Sequence, residues 1–199
     1  MTQVEFLFDF GSPNAFLARR AIPGIEQRTG AKFEVVPVLL GGIFKATGNQ
    51  SPMQAFGHIK NKMAYEQLET QRFIRKHRID FKFNPHFPVN TLNLMRMAVA
   101  AKGEGILPQY MDAVFHHMWI EPKKMDDPAI VTAALASSGI DPKLLERAQA
   151  PEVKAKLIEN TDVAVARGVF GIPTFFVGDE IFFGKDRLRD VEEAIVAAR

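Results

Sequence analysis

The chain has 199 residues, of which 47% are hydrophobic and 24% are charged, so it is long enough to bury the core of one large domain or of a domain with an insertion. Its net charge of +2 is too small to indicate a binding surface for nucleic acid or for a membrane, and we expect neither partner. Cysteine is absent, which excludes disulfides, thiolate metal sites and dithiol oxidoreductase chemistry by the protein's own sulfur.

The first ten residues show no targeting pattern. They lack a basic segment and include Glu5 and Asp9, unlike a signal peptide. No apolar run approaches the roughly 18 residues that span a bilayer. We therefore expect a soluble protein located in the cytoplasm.

The first forty residues predict a strand, a helix and a second strand. Residues 4–10 are short, apolar, β-branched and aromatic, which is typical of a buried strand. Ser12 is then a candidate N-cap and Pro13 the first helical residue. Residues 33–40 predict the second strand, and Pro37 suggests an edge or a bulge. Such a compact unit predicts parallel pairing of the two strands.

A loop predicted over residues 41–52 is followed by a long stretch of helical patterns separated by short breaks, up to about residue 168. Strands return at residues 174–178 and 180–184, where Gly178 and Asp179 predict a hairpin turn. The last residues predict a closing helix with one apolar side.

This order of elements, βαβ followed by helices and then ββα, is the thioredoxin layout. The sequence therefore predicts an α/β fold with a thioredoxin-like mixed sheet and a large all-helical insertion. We place the thioredoxin-like domain at residues 1–48 and 168–199 and the inserted helical domain at residues 49–167.

The predicted start of the first helix is the first candidate site. Free N–H groups and the positive end of the helix dipole favour an anion there. Thioredoxin folds place their attacking cysteine at this point, but here the four residues are Ser-Pro-Asn-Ala, beginning at Ser12. The alternative is that Ser12 only caps the helix, since serine is a common N-cap.

Two further segments follow later in the chain. Ile172 and Pro173 stand before a strand, where the thioredoxin layout has a cis-proline whose preceding residue offers its backbone to an extended peptide. We therefore predict a cis Ile172–Pro173 bond, although a proline at the start of a strand often has no functional role. Asp186, in the turn after the last strand, either caps the final helix or binds a ligand ammonium group.

Four segments together resemble one enzyme family. They read DFGSPNAF, GNQSP, KMAY and GVFGIPTFFVGDEIFFGKDRL in chain order, and the match spans essentially the whole chain. In combination they are similar to the 2-hydroxychromene-2-carboxylate isomerase family, which is related to kappa-class glutathione transferases and more distantly to DsbA-like disulfide oxidases. The combination carries the resemblance, because no single motif is specific.

The resemblance implies a glutathione site. Ser12 would contact the sulfur of glutathione and stabilise its thiolate, which agrees with the effect of a hydroxyl donor at a helix N-terminus. Ile172, beside Pro173, would bind the cysteinyl backbone. Asp186 would meet the γ-glutamyl ammonium and Lys185 its carboxylate.

The same resemblance implies roles in the glutathione pocket for four more residues. Phe183 and Gly184 would shape the γ-glutamyl end of the pocket. Asn49 and Lys62 match positions that bind the glycyl end of glutathione or the substrate. The neighbouring His58 and Lys60 are alternative candidates for these roles.

The implied reaction interconverts 2-hydroxychromene-2-carboxylate and trans-o-hydroxybenzylidenepyruvate, a step of aromatic catabolism. Glutathione thiolate would add reversibly to the unsaturated acid, so that glutathione acts as a cofactor and is not consumed. The family also implies a homodimer. Two alternatives stay open: a kappa-type glutathione transferase or peroxidase acting on another electrophile, and a non-catalytic thioredoxin-fold binding protein.

Two departures from the family pattern concern charge. Lys185 stands where relatives more often carry a small polar residue. Some relatives have adjacent arginines suited to a substrate carboxylate near the start of a later helix. Here the corresponding segment FPVNTLNLMR has no arginine before Arg96. Either the substrate differs, or Lys60, Lys62 or Arg96 holds the acid.

We predict no metal site. His116 and His117 are adjacent on a predicted helix, where neighbouring side chains point about 100° apart. No third ligand lies at a matching spacing in the sequence.

Overall fold

The structure is a computed structural model that describes residues 3–198. A four-stranded sheet with the order β2-β1-β3-β4 lies at its centre. Its strands are β1 (Val4–Phe8), β2 (Phe33–Pro37), β3 (Thr174–Val177) and β4 (Glu180–Phe183). β1 pairs parallel to β2 and antiparallel to β3, and β4 runs antiparallel to β3. The mixed sheet predicted from the sequence is therefore confirmed, with Pro37 at the end of an edge strand.

Ten helices surround this sheet within residues 3–198, and most of them lie between β2 and β3 in the chain. In chain order they are α1 (Pro13–Thr29), α2 (Leu40–Thr47), α3 (Pro52–Phe56), α4 (Lys60–His77), α5 (Leu92–Gly103), α6 (Leu107–Trp119), α7 (Pro128–Ser137), α8 (Leu144–Arg147), α9 (Pro151–Ala166) and α10 (Leu188–Ala197). The helical insertion is thus confirmed, while its boundaries at residues 49 and 167 stay a prediction. None of the helices in this part of the chain has the length and apolar character needed to cross a membrane.

The loop predicted over residues 41–52 is wrong in its first half, because α2 occupies it. Two glycines in this helix lower its intrinsic propensity. Tertiary contacts compensate: the Leu40 N–H donates to the Asp9 carboxylate at 2.8 Å, and the Leu39 N–H donates to Thr161 Oγ1 at 3.0 Å. Ile43 is fully buried on the inner side of the helix. The second strand consequently ends at Pro37, before the predicted limit of residue 40.

An aromatic cluster joins the sheet to the insertion. The rings of Phe8 and Phe10 pack edge to face, with their centroids 5.1 Å apart, and Phe10 also packs against Phe115 of α6 at 4.8 Å. The Trp119 indole, at the end of α6, donates from Nε1 to the Phe10 carbonyl oxygen at 3.0 Å. α6 therefore holds the backbone just before Gly11 in place.

Candidate active site

The turn from β1 into α1 is built around a buried carboxylate. Asp9 accepts hydrogen bonds from the N–H groups of Gly11 and Leu40, both at 2.8 Å, and a further one from Thr91. Burial raises the pKa of Asp9 above its usual value, against the lowering effect of these donors. Asp9 is not among the site residues predicted from the sequence, and its position directly after an apolar strand is the local feature that marks it.

Ser12 is buried at the start of α1 and makes two hydrogen bonds. Its Oγ accepts from the Ala15 N–H at 3.2 Å, which confirms the predicted N-cap. The same hydroxyl donates to the Ile172 carbonyl oxygen at 3.0 Å. Capping and contact with the opposite strand are therefore compatible roles of one hydroxyl group.

Backbone donors remain free beside Ser12. Pro13 has no N–H, and the Asn14 N–H has no hydrogen-bond partner among residues 3–198. The Ile172 N–H is likewise without a partner in that part of the chain. An anion or a peptide carbonyl placed here would meet unpaired donors next to the positive end of the helix dipole.

The peptide bond between Ile172 and Pro173 is cis, as predicted. The Ile172 carbonyl before this bond accepts from Ser12 Oγ, and the Pro173 carbonyl after it accepts from the Gly184 N–H at 2.9 Å. Gly184 has a φ of +95°, a backbone conformation that glycine adopts readily. Ser12, the cis-proline and Gly184 are thus connected by consecutive contacts.

An aromatic wall stands beside the cis-proline. The rings of Phe170 and Phe183 pack with centroids 4.6 Å apart, and Phe183 is partly exposed. A Cβ on Gly171 would lie 2.7 Å from Phe183 Cε2, so glycine is needed for this close approach. Asn49 donates from Nδ2 to the Phe170 carbonyl at 2.7 Å and accepts from the Gln50 N–H at 2.8 Å, which attaches the GNQ loop to this wall.

Lys185 and Asp186 form an ion pair after β4. Lys185 is only 3% exposed, and its Nζ lies 2.6 Å from Asp186 Oδ1 and 5.2 Å from the centroid of the Phe73 ring of α4. The Asp186 side chain is 63% exposed and remains open to a ligand. The alternative that Asp186 caps the last helix is wrong, because its carboxylate faces Lys185 within a short 3-10 turn and α10 has no side-chain cap.

Lys62 lies apart from these groups in the described contacts. Its Nζ is 4.7 Å from the Phe56 ring centroid and 3.7 Å from Glu66 Oε1. No contact recorded among residues 3–198 joins Lys62 to Ser12 or Ile172. Its role at the glycyl end or with the substrate stays a prediction, as do the competing roles of His58 and Lys60.

The chain matches known proteins along almost its whole length. Residues 3–196 match the DSBA-like thioredoxin domain family. The chain is 30% identical, over 202 residues, to the 2-hydroxychromene-2-carboxylate isomerase of Pseudomonas sp. (strain C18), with 98% of this chain and 91% of that protein covered. This chain belongs to the 2-hydroxychromene-2-carboxylate isomerase family. It is accordingly an enzyme of an isomerase family.

This chain is also similar to a solved isomerase structure and to a kappa-class glutathione transferase. A solved structure of 2-hydroxychromene-2-carboxylate isomerase superimposes with a TM-score of 0.82 at 27% identity, covering 98% of this chain and 95% of that one. Glutathione S-transferase kappa 1 of Rattus norvegicus is 26% identical, with 93% of this chain and 87% of that protein covered. The fold predicted from the sequence and the predicted family are confirmed.

Proposed function

We propose that this protein is a glutathione-dependent isomerase that interconverts 2-hydroxychromene-2-carboxylate and trans-o-hydroxybenzylidenepyruvate. The observation that carries the proposal is the 3.0 Å hydrogen bond from Ser12 Oγ to the carbonyl of Ile172, next to cis-Pro173. It brings a helix N-terminus, where a thiolate is favoured, against a backbone segment suited to an extended peptide. The family membership supports the same activity.

The donors at this point fit the central residue of glutathione. The unpaired Ile172 N–H would donate to the cysteinyl carbonyl, and the Ile172 carbonyl would accept the cysteinyl N–H. The Ser12 hydroxyl would then turn from the Ile172 carbonyl to the ligand sulfur. Together with the unpaired Asn14 N–H it would lower the thiol pKa.

The ion pair fits the amino-acid end of the γ-glutamyl group. The exposed Asp186 carboxylate would accept the ligand ammonium, and the Lys185 ammonium would bind the α-carboxylate. Phe183 and Gly184 would form the wall beside this end. We assign Asn49 a positioning role, because its amide is already bonded to the Phe170 carbonyl and the Gln50 N–H.

When bound, glutathione would supply a thiolate for reversible addition to the C=C bond of the unsaturated acid, with the π-electron pair moving to the conjugated carbonyl, so that rotation about the resulting single bond and expulsion of the thiolate would give the other isomer. The protein's contribution is to orient the two molecules and to match their charges. We propose Lys62, with Lys60 and Arg96 as alternatives, as the cation that holds the substrate carboxylate. A homodimer and a cytoplasmic location belong to the same proposal.

A kappa-type glutathione transferase or peroxidase is the second candidate function. Proteins named glutathione S-transferase kappa 1 from rat and human are 26% and 24% identical to this chain over 93% of its length. The same Ser12 site would then activate the thiol for attack on a different electrophile.

Spectroscopy of the substrate distinguishes these candidates. Protein and glutathione together should speed the spectral change of 2-hydroxychromene-2-carboxylate, whereas S-methylglutathione, whose sulfur is blocked, should support no acceleration. No acceleration over glutathione alone would contradict the isomerase. Conjugation of a chlorodinitrobenzene in that case would favour the transferase, and calorimetry without heat of glutathione binding would contradict both.

A further inference from the structure

A cluster of two histidines and a glutamate lies at the C-terminal end of α6, outside the candidate active site. Ligand atoms of His116, His117 and Glu121 lie within 4.8 Å of one another. The two histidines are adjacent on α6, yet their ligand atoms lie close enough to share an ion, contrary to the expectation from the sequence. The third ligand was missed because Glu121 comes after the helix and folds back, with its N–H donating to the His116 carbonyl at 2.9 Å.

The pair on the outside of this cluster already has the spacing of metal ligands. His116 Nε2 and Glu121 Oε2 are 3.4 Å apart, and both side chains are partly exposed. Two ligands of a tetrahedral zinc ion with bonds of about 2.0–2.1 Å are separated by about 3.4 Å. An ion can therefore reach this pair from solvent and bind both groups without a large rearrangement.

The third residue offers a lone pair that the protein leaves unused. His117 is 5% exposed, and its Nδ1 is buried without a hydrogen-bond partner. Its Nε2 lies 3.4 Å from Ser138 Oγ, and the Ser138 hydroxyl donates its own hydrogen to the Ala134 carbonyl at 2.9 Å. The His117 ring also hydrogen-bonds the Ala134 backbone, and since Nδ1 has no partner this bond uses Nε2. Nε2 therefore carries the hydrogen and Nδ1 presents a bare lone pair.

We propose that His116 Nε2, His117 Nδ1 and Glu121 bind a divalent transition-metal ion of the zinc type, with a water molecule in the fourth position. Two imidazoles and one carboxylate suit such an ion, whereas magnesium and calcium prefer oxygen ligands alone. Ser138 has the outer role found at many metal sites, where the second ring nitrogen of a histidine ligand is held by a hydrogen bond. The ion would tie the end of α6 to the turn that follows it.

The test is zinc chloride titrated by calorimetry into the full chain, made without an affinity tag and stripped with a chelator. One ion per chain is expected, together with a melting temperature that rises with zinc concentration. Cobalt chloride should give the intense visible absorption of a tetrahedral site. His116→Gln and Glu121→Gln remove exposed groups, so both variants should fold, and each should weaken binding by at least about tenfold.

Two controls make the outcome decisive. Ser138→Ala should weaken zinc binding by about tenfold without removing a ligand. His86→Gln, which removes a histidine outside the cluster, should leave the affinity unchanged. Absence of binding to the wild-type chain, or equal zinc affinity of wild type and His116→Gln, would show that the cluster is only a hydrogen-bonded histidine–glutamate pair and would overturn the proposal. Neither result depends on the proposed reaction with glutathione.

Discussion

Replacing Ser12 by alanine separates the two roles of its hydroxyl. In the free protein this group caps α1 through Ala15 and donates to the Ile172 carbonyl. In the proposed complex it donates to the thiolate of glutathione. The substitution therefore changes two measurable quantities, the free energy of unfolding and the pKa of the bound thiol.

The structure gives the size of the stability change. Loss of an N-cap side chain costs about 1 kcal/mol, and loss of the buried hydrogen bond to Ile172 costs about 1 kcal/mol more. For a chain of this length a total of about 2 kcal/mol lowers the melting temperature by about 4–8 °C. Ser12→Ala should consequently remain folded at room temperature.

The thiol pKa should change as well. A hydrogen bond to a charged group contributes about 1.5–3 kcal/mol, which corresponds to about 1–2 pKa units. Removal of the Ser12 hydroxyl should raise the pKa of protein-bound glutathione by that amount. The rate of isomerisation near neutral pH should fall with the thiolate fraction.

Titration of the thiolate absorbance in the ultraviolet measures this pKa at saturating protein. Asp127→Ala is the matched control, because Asp127 caps α7 directly before Pro128 just as Ser12 caps α1 before Pro13. It should lower the melting temperature and leave the thiol pKa unchanged. If Ser12→Ala behaves in the same way as Asp127→Ala, the hydroxyl is only a cap and the proposed role of Ser12 is refuted.

Three further predictions test the neighbouring groups. Lys185→Met should weaken glutathione binding about tenfold in calorimetry. The protein should lose little stability, because the Asp186 charge left behind is mostly solvated. Unchanged affinity would contradict a contact between Lys185 and the ligand. Asn49→Ala should raise the KM for glutathione about fivefold and leave kcat unchanged in steady-state kinetics, because the hydrogen bond to the Phe170 carbonyl is lost. A fall in kcat alone would contradict a positioning role for Asn49. Burial raises the pKa of Asp9 above its usual 3.8, so the native state binds a proton more readily than the unfolded chain does. The free energy of unfolding that this carboxyl contributes is therefore lost as the pH rises through the raised pKa. Relative to the wild type, Asp9→Asn should therefore become more stable as the pH rises from about 4 towards neutral; denaturant unfolding at each pH measures this, and parallel curves would contradict it.

The parts of the site that local sequence signals specify could be predicted. A serine before a proline marks the cap at Ser12, and a proline before an apolar strand in this layout marks the cis bond at Pro173. The helix α2 could not be predicted in this way, because two glycines argue against it and the contacts from Asp9 and Thr161 that support it come from distant parts of the chain.

The partners of charged side chains could not be predicted either, because they too come from distant parts of the chain. Asp186 follows a local capping pattern, yet its carboxylate is turned towards Lys185 instead, and Lys185 is buried because α4 covers it with the Phe73 ring. The position of Glu121 beside His116 depends on a turn that folds back after α6. Local patterns describe the backbone well, whereas the partners of charged side chains are decided by packing between elements far apart in sequence.

The Lys185–Asp186 pair also bears on the kind of ligand this site accepts. The two charges cancel, and they lie 2.6 Å apart in the free protein. A ligand with an ammonium group alone would compete with Lys185 for the Asp186 carboxylate. It would leave an unbalanced positive charge beside the buried Lys185, which lowers the free energy gained on binding. A ligand that carries both an ammonium and a carboxylate on one carbon replaces the pair with two pairs and keeps the region neutral. The free amino-acid end of a γ-glutamyl peptide has this arrangement, so the ion pair supports the proposed role of Lys185 as well as that of Asp186.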